Sequence, residues 1–505
     1  MTARPLPPSA DLHAAPPLVT TRSGAVIGSF ALDRQVEAFK GIPFARAARY
    51  RRARPCPAWD GPRPCTEFGP VAPQRGLIAD DAEAECLSLN IWTPAVRSGP
   101  LPVLFFIHGG AFVTGAGSDY DGGFLAAHGP AVIVTINYRL GPLGFLQLHR
   151  FGGALSEASN LAVTDTVAAL DWVRDNIAAF GGDPDAITLI GQSAGASLVV
   201  TLMTLPQARG KFRRSIALSV PGRGIMAATQ ADDIAERFLS ALALPPQQAE
   251  RILDVPVTAL LDAAERVGRD VATQTDQGTL FGPVLDGDII PQDPRAAVAA
   301  GAVRDHELWL GSCRDEMVMF LQSNPPAAMI RVTEAAIRAR HGDAGWEQLL
   351  ACYRDTARAS EDAYEALLSD AMWHRPMHEL ARLQSEAGGR AWLSRFDHAP
   401  HLQPFLSQGP THGADNACLW AHLPGFVDRP VLKRPGGPMT LADIEVAARL
   451  QASVLRFAAE GIPDKAAAWP AYTSATETLA IFDSPFHLVS LRDAVRSKAW
   501  RALGG

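Results

Sequence analysis

The chain predicts an α/β fold built on a mostly parallel, doubly wound sheet. Pro102–His108 and Ala131–Tyr138 are unbroken apolar runs of strand length, the pattern of strands buried on both faces. Such strands alternate with longer segments of helical composition, as a parallel sheet with crossover helices requires. The third observation is local. Ala186–Ile190 reads as a buried strand, runs into Gly191-Gln192-Ser193-Ala194-Gly195, and continues at once into the small apolar residues of 194–203.

Residues 1–20 are rich in Pro and Ala and read as a disordered leader. Val26-Ile27-Gly28 and Val36-Glu37-Ala38-Phe39 suggest a small antiparallel hairpin, followed after Lys40–Phe44 by a Pro/Arg/Cys-rich loop reaching Asp81. Leu87–Trp92 alternates as a half-buried strand. Val163, Val167, Leu170, Val173, Ile177 and Phe180 recur at helical spacing, and Gly181-Gly182-Asp183-Pro184 stops that helix. Further strands are expected at Ser215–Ser219, Glu307–Leu310, Ala391–Phe396 and Leu479–Phe482. The Ala- and Leu-rich stretches 225–270 and 326–390 read as helical insertions within one domain, 21–505.

The balance of 47% hydrophobic and 20% charged residues over 505 positions is that of a globular protein. A net charge of -7 argues against nucleic acid or an anionic membrane as partner; the basic run Arg49–Arg54 reads as a solvated or salt-bridged loop. Neither a signal-peptide run nor a membrane-length apolar run is present. Six cysteines are scattered without a Cys-x-x-Cys pair, so a metal site is unsupported and a reduced, cytoplasmic state is expected. Oligomeric state stays open.

Strand, Gly-x-Ser-x-Gly, helix is the context of a nucleophile elbow. Gly191 and Gly195 spare the sharp turn from side-chain collisions, Ser193 stands clear at the sheet's carboxyl edge, and the Ala194 N–H points from a helix N-terminus. His108-Gly109-Gly110-Ala111-Phe112, just past a strand, suits a loop whose Gly109 and Gly110 amides approach the serine as oxyanion donors. His108 precedes the serine and reads as structural. In such elbow folds an acid and then a histidine follow the serine, and nine histidines do so. His374 and His378 are four apart, but Pro376 lies between them and no Glu holds the metal-motif position, so they read as helix-surface or core residues. His398 and His401 flank a Pro and read as loop residues. His412, on the Gly/Pro-bounded loop Gly409–Asp415, can reach over the sheet edge as a base. Asp315 and Glu316, after the 307–310 strand, are equivalent candidates for the acid.

Several ordered motifs resemble the type-B carboxylesterases of the α/β-hydrolase superfamily, bacterial para-nitrobenzyl esterases among them. They are Phe39–Ala45, Glu85–Trp92, His108–Phe112, Asn137–Phe145, Phe180–Pro184, Gly282–Gly287, Gly311–Glu316 and Trp469–Tyr472. The resemblance implies a central sheet with helical insertions forming a substrate gorge, and a cofactor-free serine hydrolase acting on small-molecule esters. It assigns the acid to Glu316, the base to His412, and the oxyanion donors to Gly109, Gly110 and Ala194, leaving Asp315 structural. An amide, carbamate or lactone is an alternative substrate for the same site. Non-catalytic adhesion proteins of this family lack the triad, whereas all three residues are present here. Phe112, Leu280, Phe281, Met317 and Phe320, with Gln192, are candidates for the substrate pocket. The chain also departs from the family. Gln192 stands where Glu is usual, which removes an attraction for cationic substrates. Arg46–Arg54 replaces Pro-Pro-x-Gly, Ala72 stands where secreted relatives carry a disulfide partner for Cys86, and the cholinesterase Trp is missing from 66–85.

Overall fold

The computed structural model describes residues 15–504 except 78–81, 223, 275–278, 323–327, 359–361, 402–408, 421–439 and 466–467. Its centre is a sheet of eleven strands. In chain order these are β1 (Ser29–Ala31), β2 (Val36–Pro43), β3 (Ser88–Pro94), β4 (Leu101–Ile107), β5 (Val132–Ile136) and β6 (Gly182–Gln192). They continue with β7 (Arg214–Leu218), β8 (Glu307–Cys313), β9 (Arg390–Phe396), β10 (Thr478–Phe482) and β11 (His487–Ser490). Across the sheet the order is β11-β10-β9-β8-β7-β6-β4-β5-β3-β2-β1. The strands from β5 through β10 run parallel, and antiparallel strands close both edges.

Side chains of β4 show why the central runs are apolar throughout. Val103, Phe105 and Ile107 enter one buried cluster, whereas Leu104 and Phe106 enter another on the opposite face. That is the period-two alternation of a strand with both faces covered. Helices α1 (Leu161–Asn176) and α2 (Ala194–Thr204) cover the first face. The second is covered by Val446, Leu450, Val454 and Phe457 of a long helix, Leu441–Glu460.

The expected central strands and the helix ahead of β6 are present; α1 tightens to a 3-10 turn at Ile177–Phe180, and Gly181 then takes φ 82°. The N-terminal expectations need two corrections. Leu18–Thr21 is a strand pairing with Gly24–Ile27, so the leader does not extend to residue 20; residues 1–14 lie outside the described residues. Val26 and Ile27 therefore belong to that small sheet, and Val36–Pro43 pairs instead with Ser29–Ala31. The turn 32–35 carries three positive-φ residues, Leu32, Asp33 and Arg34, with no Gly or Asn to mark it in the sequence.

The insertions are helical as expected: Ala228–Ala241 and Val257–Gln274 in the first, then Ala328–Thr356, Ala363–Ser369 and Arg375–Glu386 in the second. The Arg-rich segment is held by acids. Arg49 grips Glu83 and two backbone carbonyls, and Arg46, Arg51, Arg52 and Arg54 face Glu85, Glu157, Asp288 and Glu157. Cys86 is a buried free thiol, and the described cysteines form no disulfide.

Arg139, just past β5, is locked to Asp165 of α1 by hydrogen bonds of 2.8 and 2.7 Å, with both side chains buried, and its other branch donates to the Arg51 carbonyl at 2.8 Å. Asp165 outweighs the desolvation of Arg139 and holds the guanidinium above its ordinary value. Breaking one side of such a pair strands a buried charge, so Asp165→Ala should lower unfolding free energy by about 3–5 kcal/mol in urea titrations. A loss below about 1 kcal/mol would contradict this account of the pair.

Candidate active site

Neighbouring parallel strands end in register at one edge of the sheet: Gly191 pairs with Ile107, Gln192 with Leu218, and Leu218 with Gly311. The residues that follow these ends therefore converge. His108 and its glycines follow β4, Ser193 follows β6, Ser219 follows β7, and Glu316 lies just beyond β8. A carboxyl-end crevice is where an open α/β sheet places its ligands.

Ser193 has φ 58° and ψ -122°, a strained conformation for a non-glycine residue. The turn closes because its flanking glycines admit backbone. A Cβ on Gly195 would lie 2.0 Å from the Ile107 carbonyl oxygen, and one on Gly191 would lie 2.5 Å from Gly195. Ser193 N–H donates to Leu218 O at 2.8 Å, tying the turn to the next strand.

His412 Nε2 lies 2.9 Å from Ser193 Oγ, and its Nδ1 lies 2.5 Å from Glu316 Oε2. The second oxygen of Glu316 accepts from Ser219 Oγ at 2.6 Å and from Cys313 N at 2.8 Å. Fully buried, this carboxylate is compensated by donors on both oxygens, as a buried charge requires. Asp315 lies outside this relay. It pairs with Arg314, and its N–H donates to Pro410 O at 3.1 Å, fastening the loop that carries His412. Of the two acids, Glu316 is the one that His412 contacts.

The loop after β4 is equally constrained. Gly110, Ala111 and Phe112 have φ of 112°, 53° and 64°. A Cβ on Gly109 would lie 3.1 Å from that of Ser193, so the loop backbone runs directly beside the serine. Among the described residues, no protein acceptor takes the N–H of Gly109, Gly110 or Ala194. His108 stacks on Tyr138, 4.4 Å between centroids, and its carbonyl accepts from the Tyr138 hydroxyl at 2.8 Å.

Two supports escaped the sequence reading. Gln74 is buried and brackets the glycine loop: its Oε1 accepts from Thr114 Oγ1 at 2.6 Å and Gly115 N at 2.9 Å, and its Nε2 donates to Gly115 O at 3.0 Å. Nothing in its Pro-rich surroundings signals this. Ser219 had a readable signal, a polar residue closing an apolar strand next to the elbow strand.

A cavity of about 230 Å³ beside the serine helix is lined by Phe112, Ser197, Val200, Val220, Ile225 and Met226, among others. Of the pocket candidates, only Phe112 lines it. Gln192 turns toward the relay, its Nε2 3.2 Å from His412 Nε2. Phe320 lies against the His412 ring at 5.2 Å, Leu280 is half-buried, Phe281 is buried, and Met317 is buried with its sulfur accepting from Trp373 Nε1 at 3.3 Å. Packing accounts for Phe281 and Met317. His374 is buried against Asp370 at 2.5 Å, and His398 and His401 both face Asp443. Among the described residues no cluster of ligating side chains could hold a metal ion, and no helix is long and apolar enough to cross a membrane.

The strand order, the elbow and the relay at the carboxyl edge are those of an α/β-hydrolase. The sequence signature of the Carboxylesterase family matches residues 15–498, and the chain belongs to that family. It is 33% identical over 482 residues to the para-nitrobenzyl esterase of Bacillus subtilis (strain 168), spanning 92% of this chain and 95% of that protein. Among solved structures, a PNB esterase superposes with a TM-score of 0.81 at 32% identity, covering 95% of this chain and 99% of its own. The Geobacillus stearothermophilus carboxylesterase EST55 superposes with a TM-score of 0.82 at 34% identity, covering 96% and 99%. The protein is a carboxylic ester hydrolase.

Asp415, three residues beyond His412, is buried; burial first and the neighbouring Glu316 charge second push its carboxyl up to about 6. Its folded value thus lies above the ordinary aspartate value of about 3.9. The protonated acid stabilises the fold below roughly pH 4, and that contribution is lost as pH rises through about 6. Asp415→Asn should remove this dependence: across roughly pH 4 to 7, wild-type urea midpoints should fall relative to the variant's. Parallel pH profiles would rule the assignment out.

Proposed function

We propose that this esterase works by two-step acyl transfer through Ser193, with His412 as general base and then acid, Glu316 as its orienting carboxylate, and the Gly109, Gly110 and Ala194 amides as oxyanion donors. The observation that carries the reading is the relay itself: one imidazole nitrogen on the serine hydroxyl, the other on a buried carboxylate. Glu316 fixes the proton on Nδ1, which leaves Nε2 with the lone pair that accepts the serine proton. As the hydroxyl oxygen attacks the ester carbonyl, negative charge develops on the carbonyl oxygen, where three backbone amides can meet it. Collapse expels the alcohol, protonated from Nε2, and leaves the acyl group on Ser193. Water, deprotonated by the same nitrogen, then releases the acid.

The reading treats 21–505 as one domain, supported by a continuous buried cluster reaching from Val26 to Trp500. The free thiols support a reducing, cytoplasmic setting.

Hydrolysis of para-nitrophenyl acetate and butyrate by wild type and Ser193→Ala tests the mechanism. The variant should lose on the order of a thousandfold or more in kcat, and an organophosphate should label wild-type Ser193 by mass. Equal turnover in both proteins, or a label elsewhere, would reject it.

Gln192 places a neutral amide, not a carboxylate, next to the reacting groups. Gln192→Glu should raise kcat/KM for a choline ester relative to its neutral 3,3-dimethylbutyl isostere by about three- to tenfold, an effect shrinking with added salt. An unchanged ratio would mean that this side chain does not face the alcohol group.

A further inference from the structure

A cavity of about 610 Å³ opens between the helices Ala328–Thr356, Arg375–Glu386 and Val495–Ala502. Ser193, Glu316 and His412 are not among its lining residues. Arg295, Arg340, Arg375, Arg382 and Arg501 line it, against only two acids, Glu379 and Glu477. In a chain of net charge -7 this is a local excess of cations.

Internal pairing does not use all of that charge. Arg501 pairs with Glu477 at 3.1 Å, Arg295 faces Glu379 at 3.7 Å, and Arg382 turns to Glu386. Among the described residues, Arg340 and Arg375 have no carboxylate within salt-bridge distance. Arg340 donates to the Gly504 carbonyl at 3.3 Å, and the Arg375 guanidinium lies over the Trp500 ring, 4.4 Å from its centroid. The nearby Asp370 is engaged by His374 and Tyr353. Burial lowers Arg375 from its ordinary value against the opposing pull of Asp370, and the charge of Arg340 adds to the lowering. Both side chains line the same cavity, Arg340 exposed and Arg375 half-buried. Guanidinium forks match the geometry of carboxylates and phosphates. Ile337, Met372 and Trp500 supply an apolar wall beside them.

We propose that this cavity is a second, non-catalytic binding site for a small organic anion, its carboxylate or phosphate head held by Arg340 and Arg375 and its apolar body against Trp500. The proposal stands apart from the acyl-transfer mechanism, because binding there needs none of the relay residues.

Isothermal titration of the full-length Ser193→Ala protein with phenyl phosphate, phenylacetate, inorganic phosphate and benzyl alcohol tests it. Phenyl phosphate or phenylacetate should bind saturably at one site, and whichever is tighter identifies the head group. Benzyl alcohol and inorganic phosphate should each bind more weakly, on the order of tenfold or more. Adding Arg340→Gln or Arg375→Gln should weaken the organic anion by a similar factor, whereas adding Arg382→Gln should change it less than about twofold. Arg340 is exposed, so its variant keeps the test valid even where Arg375→Gln disturbs folding. Absence of saturation below roughly 10 mM, undiminished affinity in the Arg340 variant, or equal binding of benzyl alcohol would overturn the proposal.

Discussion

The contact on which the site depends is the approach of Gly195 to the Ile107 carbonyl, where a single methyl group would meet oxygen at 2.0 Å. That approach lets α2 begin immediately after β6 and sets Ser193 at φ 58° beside the end of β4. The two neighbouring strands then share one edge, so the glycine loop after β4 and the serine after β6 are brought together by the sheet's own register. Strain at one residue is tolerated because strand pairing, helix packing and the Ser193 N–H to Leu218 O bond all fix its surroundings.

Around that turn, polar groups are ordered in layers. Glu316 is buried, and its oxygens are shared among His412, Ser219 and Cys313 N–H. The histidine loop is in turn fastened through Asp315, and the glycine loop through Gln74 and Tyr138. In a low-dielectric site such groups hold orientation without waiting for solvent to reorganise, which is what a developing oxyanion requires. The motif Gly282–Gly287 belongs to the same framework: Asn160 donates to Val284 O and accepts from Val284 N, each at 2.8 Å, with Asp286 beside it.

The departures from the family fit this frame without disturbing it. The Arg-rich segment is neutralised by acids distributed along the chain, from Glu83 to Asp288. Gln192 places a neutral amide, not a carboxylate, next to His412. Cys86 takes the role of a small buried apolar residue, its thiol held protonated by burial.

The architecture and the elbow that centres the candidate site were legible along the chain. Period-two burial and unbroken apolar runs specified the central strands, and Gly-x-Ser-x-Gly between strand and helix specified the elbow. Those signals are local, carried within about ten residues by sterics and burial. The resemblance ranked Glu316 above Asp315, and Glu316 is the acid that lies against His412. Long-range pairing is not written in local pattern. Gln74 reaches Thr114, Ser219 reaches Glu316, and Leu18–Thr21 pairs with Gly24–Ile27 rather than trailing as a leader. The arginines of the large cavity lie on four helices, more than two hundred residues apart at the extremes. No spacing rule relates them, because their proximity is produced by helix packing and not by periodicity along the chain.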